Sequence, residues 1–183
     1  MRAVVIYESM YGNTHLIAEA IGTGLREHAD VVVVPVQGAT AAVAAGADLV
    51  VVGGPTHAHG MSRESTRKGA VAAAAKPESP LTMDPDAPGP GLREWLDDVG
   101  PFAADGAAFD TRFDAPAALT GRASKGIARK LRHLGAHLVA DPESFLVTKG
   151  DQLEPHEEER ARAWGAQLGQ ATKRVTEPSG RPA

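Results

Sequence analysis

The amino-terminal region changes from a strand pattern to a helix pattern within a few residues. From Val5 to Ile21 it reads Val-Ile-Tyr-Glu-Ser-Met-Tyr-Gly-Asn-Thr-His-Leu-Ile-Ala-Glu-Ala-Ile. The apolar run ends at Tyr7, and a helix is predicted to begin at Thr14. The first turn of a helix leaves N–H groups without partners, and the helix dipole is positive there, so anions bind well at this point. The stretch therefore predicts a phosphate-binding loop.

The residue types in this loop suit a phosphate. Gly12 would let the backbone approach closely, and Ser9, Asn13 and Thr14 would add short polar groups. Glu8 is acidic, and we expect its side chain to point away from the anion. The alternative is an ordinary strand-to-helix turn in which Ser9 and Thr14 only cap the helix.

Strands and helices are predicted to alternate along the chain. Short β-branched runs without polar alternation predict parallel strands that are buried on both faces. The predicted strands are Ala3–Tyr7, Val31–Val36, Leu49–Gly53, Gly106–Thr111, and a fifth position shared by Ala136–Val139 and Ser144–Val147, interrupted at Asp141 and Pro142. The predicted helices are Thr14–His28, Thr40–Ala45, Gly91–Val99, Ser124–Leu134 and Pro155–Val175. This alternation predicts an α/β fold, a doubly wound five-stranded parallel sheet in a three-layer sandwich.

Apolar spacing predicts which side chains the helices bury. In the first helix the inward set is Leu16, Ile17, Ala20, Ile21 and Leu25. Trp95 and Trp164 lie on later helices and are expected to anchor the core. The helix predicted to start at Pro155 carries Glu157, Glu158 and Glu159 near the positive end of its dipole.

We expect a single domain over residues 1–176, an insertion at about 62–91, and a disordered tail at 177–183. Ser62–Lys76 is Ala-rich and predicts an extra helix, although Gly69 inside it costs about 1 kcal/mol relative to Ala. Residues 77–91 contain five prolines and predict a long loop. The insertion could be a lid or partner surface, or a mobile spacer, and the sequence favours neither.

Composition limits the class of protein. The chain has 183 residues, 43% hydrophobic and 23% charged, which is normal for a soluble domain that buries its own core. A net charge of −4 argues against nucleic-acid binding. The absence of Cys excludes disulfides and thiolate–metal sites. Neither a membrane-spanning run nor a secretory signal is present in the sequence, so we expect a cytoplasmic protein.

The amino-terminal stretch resembles the flavodoxin signature. The matching positions are Val5, Ile6, Tyr7, Ser9, Gly12, Thr14, Ala18 and Ile21. This resemblance implies an FMN cofactor held by its phosphate in the loop Glu8–His15, strand order 2-1-3-4-5, and electron transfer as the function. The cofactor-binding residues it implies in this loop are Ser9, Met10, Tyr11, Gly12, Asn13 and Thr14.

The same resemblance implies that two further loops flank the flavin ring. The loop after the third strand would run along the ring edge with Pro55, Thr56, His57, His59 and Gly60, and the carbonyl of Gly60 would approach flavin N5. The loop after the fourth strand would lie on the other side with Thr111, Arg112 and Phe113. Arg112 could instead pair with Asp110 or Asp114.

Few aromatic residues are present to cover the ring. The two ring loops supply only His57, His59 and Phe113 as ring-bearing side chains, whereas one-electron shuttles of the family usually sandwich the flavin between aromatics. Three functions therefore remain open. The first is an FMN-binding electron carrier with a redox partner protein or a small-molecule acceptor. The second is an FMN-dependent reductase that passes hydride from NAD(P)H to a quinone. The third is a non-catalytic interaction module with the same fold. No catalytic protein residue and no oligomeric state is predicted.

Two weaker patterns have alternative interpretations. His57 and His59, with His15 nearby, could bind a metal, but two ligands without Cys or clustered carboxylates are a weak signal, and we predict no metal site. The fourth predicted helix carries a basic set, Arg122, Lys125, Arg129, Lys130 and Arg132. This set could dock an acidic partner or the phosphate of a nicotinamide cofactor, although the pattern favours a plain solvated surface.

Overall fold

A parallel sheet forms the centre of the computed structural model, which describes residues 1–87, 89–101 and 103–176, the last four by their backbone alone. The strands are β1 (Arg2–Tyr7), β2 (Asp30–Pro35), β3 (Leu49–His57), β4 (Gly60–Met61), β5 (Asp105–Phe113), β6 (His137–Leu138) and β7 (Glu143–Val147). The order is β2-β1-β3-β5, with β6 and β7 both next to β5. Apart from β4, which pairs antiparallel with β3, all the pairings are parallel. Here β5 is the predicted fourth strand, and β6 and β7 share the predicted fifth position. The predicted order 2-1-3-4-5 is therefore confirmed.

Helices cover both faces of the sheet. They are α1 (Asn13–Leu25), α2 (Ala41–Ala45), α3 (Glu64–Ala74), α4 (Leu92–Asp98), α5 (Ala117–Thr120), α6 (Ala123–His133) and α7 (Glu157–Thr176). Side chains of α1 and α7 pack on one face around Phe109, Phe145 and Trp164. Side chains of α4 and α6 pack on the other face around Trp95. Both tryptophans are core anchors, as the sequence predicts.

The fifth strand position is interrupted, as expected. The short strand β6 pairs with the start of β5, and β7 pairs with its end. Residues 139–142 connect them without strand geometry, and this segment contains the predicted break at Asp141 and Pro142. Proline has no N–H to donate to a ladder, which explains the gap.

Two burial predictions are wrong. Strand β2 lies at the edge of the sheet, and Val32 is 41% exposed, so this strand is not buried on both faces. On α1 the buried apolar set is Ile17, Ala18, Ile21 and Leu25, whereas Leu16 is 50% exposed. The helix packs against both the sheet and α7, so its contact face is turned toward Ala18 rather than toward Leu16.

The insertion contains the expected extra helix, α3, followed by a long segment without helix or strand among its described residues. Strand β4 and helix α5 are absent from the prediction because both are very short. Helix α7 begins at Glu157 rather than at Pro155. The tail 177–183 lies outside the described residues. Within the described chain, no helix is both long and apolar enough to cross a bilayer.

Candidate functional site

A cavity of about 200 Å³ opens where the parallel strands end at their carboxyl side. Ligand sites of doubly wound sheets lie at this edge, next to the point where strand order reverses. The residues around the cavity come from the loop after β1 with the start of α1, from the carboxyl ends of β3, β5 and β7, and from the loop after β7. They are Ser9, Met10, Tyr11, Asn13, Thr14, Pro55, Thr56, His57, Thr111, Arg112, Phe113, Val147 and Asp151. The structure thus brings the three predicted loops together in one place.

The phosphate-binding loop presents unpaired backbone donors. Within the described chain, the amides of Met10, Tyr11, Asn13, Thr14 and His15 have no hydrogen-bond partner. Helix α1 begins directly after Gly12, whose φ of 97° is in the left-handed region, and its N-terminus has no side-chain cap. These donors are what an anion at a helix N-terminus requires. The simple-cap interpretation of Thr14 is therefore wrong.

Side chains of the loop are partly engaged within the protein. The Oγ of Ser9 accepts a hydrogen bond from the amide of Gly12 at 3.0 Å. The hydroxyls of Thr14 and Thr111 share a hydrogen bond of 2.7 Å, which joins the loop to the end of β5. The carboxamide of Asn13 donates to the backbone O and to Oδ1 of Asp151 at 3.1 and 3.0 Å. Asn13 thus holds the loop after β7 with its side-chain carboxamide, which is not free for a ligand.

Glu8 points away from the loop, as expected. Its carboxylate is 3% exposed and accepts a hydrogen bond of 2.7 Å from the amide of Leu92. Leu92 is the first residue of α4, so the negative charge lies at the positive end of another helix. Glu8 therefore acts as a link between the phosphate loop and α4, and it does not oppose an anion in the cavity.

The loop after β3 is a tight hairpin. His57 and Gly60 pair across a two-residue turn whose members, Ala58 and His59, have φ values of 45° and 71°. Positive φ at both central residues is the geometry of a type I′ turn. His57 lines the cavity, whereas His59 and Gly60 lie outside its lining, as does Gly12. Of the predicted ring-edge residues, Pro55, Thr56 and His57 thus line the cavity, whereas those after the turn do not.

Burial lowers the pKa of His57, and the nearby guanidinium of Arg67 lowers it further, although Glu8 acts in the opposite direction. Its imidazole is therefore neutral at neutral pH. A neutral imidazole beside the cavity can donate or accept a hydrogen bond according to its tautomer.

Asp110 fixes the ends of two cavity elements. It is fully buried, and its Oδ2 accepts hydrogen bonds from the hydroxyl of Thr56 at 3.1 Å and from the amide of Ser124 at 2.8 Å. The hydroxyl of Thr56 in turn accepts from the amide of Ala123 at 2.9 Å. Helix α6 is therefore attached by its first turn to the strand ends around the cavity. This role of Asp110 is not among those that the sequence pattern predicts.

Arg112 does not form the ion pair that the sequence left open as an alternative. Neither Asp110 nor Asp114 is its partner within the described chain. Its Nη1 instead donates to the carbonyl oxygens of Phe113 and Ala115, at 3.2 and 2.6 Å. These bonds hold the loop after β5, and Phe113 remains 55% exposed at the cavity. An exposed phenyl ring at the cavity rim is available to contact a bound molecule.

Two cavity residues, Val147 and Asp151, are missing from the predicted site. Burial raises the pKa of the Asp151 carboxyl to about 6, and the hydrogen bond from Asn13 opposes that shift. Its φ of 59° places a residue other than Gly in the left-handed region. The sequence signal for Asp151 was available but general, because every loop at the carboxyl end of a parallel sheet opens onto the same edge.

The insertion contacts the phosphate loop from outside the cavity. The hydroxyl of Tyr11 donates to the carbonyl oxygen of Ala70 at 3.0 Å. The amide of Asp84 donates to the carbonyl oxygen of Met10 at 2.8 Å, and its carboxylate lies 3.3 Å from Nδ1 of His15. These contacts show a docked segment rather than a spacer.

Two aspartates of the insertion form a cluster with one histidine of α1. Potential ligand atoms of His15, Asp84 and Asp86 lie within 4.8 Å of one another. The hydroxyl of Tyr7 donates to Asp86 at 3.0 Å, and the Tyr7 ring stacks on His15 with centroids 4.6 Å apart. The polar contact of His15 is therefore with the insertion. The metal interpretation would instead group it with His57 and His59.

Comparison with known proteins agrees with this geometry. The pattern of the flavodoxin domain family matches residues 4–67, which include β1, the phosphate loop, the β3–β4 hairpin and the start of α3. An archaeal flavodoxin superposes with a TM-score of 0.67 at 22% identity, over 94% of this chain and 99% of its own. The chain has the flavodoxin fold. No curated protein sequence gave a match.

Other solved structures share this flavodoxin-like architecture. Flavodoxin 1 from Bacillus cereus superposes with a TM-score of 0.62 at 18% identity, over 97% of this chain and 100% of its own. A flavodiiron protein from Giardia intestinalis gives a TM-score of 0.60 at 20% identity, over 94% of this chain but 36% of its own. The same fold thus occurs both as a whole protein and as part of a longer one.

The resemblance of the sequence to the flavodoxin signature implies FMN, and the donors present would fit its phosphate. The unpaired amides lie at the start of α1, and no side chain of the described chain accepts a hydrogen bond from them. Asp151 is the one feature of the lining that opposes an anion when it is ionised. Met10, Tyr11, Pro55 and Phe113 add the apolar surface that a flat ring system needs.

Proposed function

We propose that this chain is an FMN-binding electron-transfer protein. One observation carries the proposal: residues with unpaired amides at the start of α1 line an open cavity at the switch point of a flavodoxin-like sheet. A bound FMN would supply one- and two-electron redox chemistry, which no side chain of the protein provides. The part of the protein is to hold, orient and shield the cofactor.

The site residues divide between two ends of the cofactor. The amides of Met10, Tyr11, Asn13 and Thr14 and the hydroxyls of Ser9 and Thr14 would bind the phosphate, with Gly12 allowing the close approach. Pro55, Thr56 and His57 would line one side of the ring, and Thr111, Arg112 and Phe113 the other. Gly60 and His59 would contact only the exposed ring edge, because they lie outside the cavity lining.

The domain organisation, the cellular location and the electron acceptor are also proposed. We infer that residues 1–176 act as one domain in the cytoplasm, with the insertion at about 62–91 serving as a buttress for the phosphate loop. The electron acceptor would be a redox partner protein or a small molecule.

We expect the purified protein, when titrated with FMN, to bind one equivalent and to give a structured visible absorption band. Riboflavin should bind at least tenfold more weakly, because each charge-assisted hydrogen bond to the phosphate contributes about 1.5 to 3 kcal/mol. Fluorescence titration measures both affinities. Absence of binding at micromolar FMN would favour the interaction module.

A second candidate function is an FMN-dependent NAD(P)H:quinone-type reductase. It is favoured by the sparse aromatic cover, because Phe113 is 55% exposed and both tryptophans are buried in the core. An exposed ring leaves room for a second substrate. Steady oxidation of NAD(P)H in the presence of a quinone would identify the enzyme, and its absence with FMN bound would identify the carrier.

Asp151 is expected to make phosphate binding dependent on pH. Its raised pKa means that the carboxyl is mostly ionised at pH 8 and mostly protonated at pH 5. Repulsion of the FMN phosphate should therefore be present at pH 8 and lost as the pH falls through about 6. We expect Asp151→Asn to bind FMN about tenfold more tightly than the wild type at pH 8 and equally at pH 5.

The ratio of the two dissociation constants at each pH is the measurement, since ionisation of the FMN phosphate itself cancels in that ratio. Riboflavin serves as the control ligand, and its ratio should stay near one throughout. A ratio for FMN that does not change between pH 5 and 8 would show that Asp151 does not face the phosphate.

A further inference from the structure

A second depression lies on the face of the sheet covered by α4 and α6. It encloses about 430 Å³ and is lined by Met61, Arg93, Gly126, Arg129, Lys130 and His133. Gly126 contributes no side chain, which leaves the floor open beside the end of Met61. The rim therefore consists of basic side chains from two helices around a small apolar floor.

The positive charge of this basic depression is only partly neutralised. Arg93 donates from Nε and Nη2 to the carbonyl oxygens of Ser62 and Met61, at 3.0 and 2.9 Å, which are neutral acceptors. Arg129 has no ion-pair partner within the described chain, and Lys130 pairs with Asp97. Among the described residues, Lys130 is thus the one of these three cations with an ion-pair partner, and a cluster with such an excess of positive charge attracts anions.

The surrounding sequence strengthens this imbalance. Residues 115–140 contain no Asp or Glu, although the whole chain has a net charge of −4. Helix α6 carries Lys125, Arg129, Lys130 and Arg132 in this acid-free segment. The positive potential is therefore a local property of α6, because that segment contains no acidic side chain to offset it.

The basic depression adjoins the cofactor cavity through the β3–β4 hairpin. Met61 in its floor pairs directly with Thr56, which lines the cavity. Paired residues in an antiparallel ladder lie about 5 Å apart. A molecule anchored by one end in the depression can thus extend over the hairpin toward the ring of a bound FMN.

We propose that Arg93, Arg129 and Lys130 bind a phosphate monoester carried by a small-molecule electron donor, of the class of 2′-phosphorylated nicotinamide dinucleotides. The inference rests on the reductase form of the proposed function. Guanidinium and ammonium groups together suit a phosphate, because the first binds it in a bidentate way and the second as a point charge.

Calorimetric titration at low salt tests the site with four probes: NADPH, NADH, 2′,5′-ADP and inorganic phosphate. We expect NADPH to bind at least tenfold more tightly than NADH, and 2′,5′-ADP to compete with it. Arg129→Gln combined with Lys130→Gln should weaken NADPH at least tenfold. The matched pair Lys125→Gln with Arg132→Gln removes the same charge from α6 outside the depression and should change the affinity less than twofold.

Several results of these titrations would contradict the proposal. Equal affinity for NADPH and NADH, or an equal loss in both variant pairs, would overturn the proposal. Inorganic phosphate binding as tightly as 2′,5′-ADP would overturn the nucleotide as the source of the phosphate. The titrations are repeated before and after FMN is added, so failure of this site is distinguishable from failure of FMN binding.

Discussion

The double variant Gly12→Val with Thr14→Ala is expected to weaken FMN binding about 100-fold or more while changing riboflavin binding less than threefold. Gly12 has a φ of 97°, which a β-branched residue adopts only with strain, so valine would shift the amides that follow. Thr14→Ala removes the hydroxyl that bonds Thr111 at the cavity. Both changes act where the phosphate is proposed to bind, and a 100-fold loss corresponds to about 2.7 kcal/mol. Fluorescence titration of both ligands is the measurement.

A matched control is available in the same chain. Gly100 also has a positive φ, 77°, and a Cβ added there would meet nothing within 4 Å. Thr23 lies near the end of α1. Gly100→Val with Thr23→Ala therefore repeats the same chemical changes and the same kind of strain away from the cavity. We expect it to leave both affinities within twofold of the wild type. Equal weakening of FMN and riboflavin by the Gly12 and Thr14 variant would contradict phosphate binding in this loop.

The sequence predicts those parts of the fold that depend on local pattern. β-branched runs predict β1 and β3, and the change of period after Tyr7 predicts α1. The run Val31–Val34 looks the same whether a strand is central or at an edge, so the exposure of Val32 depends on sheet order and not on local pattern. Similarly, Leu16 satisfies the helical spacing of α1, but the position of α7 decides which face is covered.

The features of the site also fall into two classes, those that local sequence predicts and those that depend on packing of the whole chain. Free amides after Gly12 follow from a local strand–turn–helix sequence, and the expectation that Glu8 points away follows from the negative charge of the proposed phosphate. Asp151 is different, because its place beside Asn13 depends on a pairing between residues 138 positions apart. The link between His15 and Asp84 spans 69 positions and arises from an insertion whose sequence resembles a linker. Such contacts are set by packing of the whole chain, so spacing rules do not reveal them.

The largest effect on stability is expected at the contact between α1 and α7, where glycines let the two helix backbones meet. A Cβ added to Gly165 would lie 2.2 Å from the carbonyl oxygen of Ile21, and one added to Gly24 would lie 2.0 Å from that of Arg162. Backbone atoms at such distances do not move aside as a flexible side chain would. We therefore expect Gly165→Ala to push the helices apart and to lower the free energy of unfolding by about 2 to 4 kcal/mol.

Thermal denaturation should show this as a fall in Tm of roughly 5 to 15 °C. The control is Gly69→Ala, the same substitution in the exposed interior of α3, where a Cβ meets nothing within 4 Å. Alanine has the higher helix propensity, so this variant should gain up to about 1 kcal/mol. The two substitutions share their chemistry and differ only in what the new methyl group contacts. If both raised the Tm, α1 and α7 would not pack as closely as the glycine contacts indicate. The helix packing on the sheet beside the phosphate loop would then differ from that in the structure.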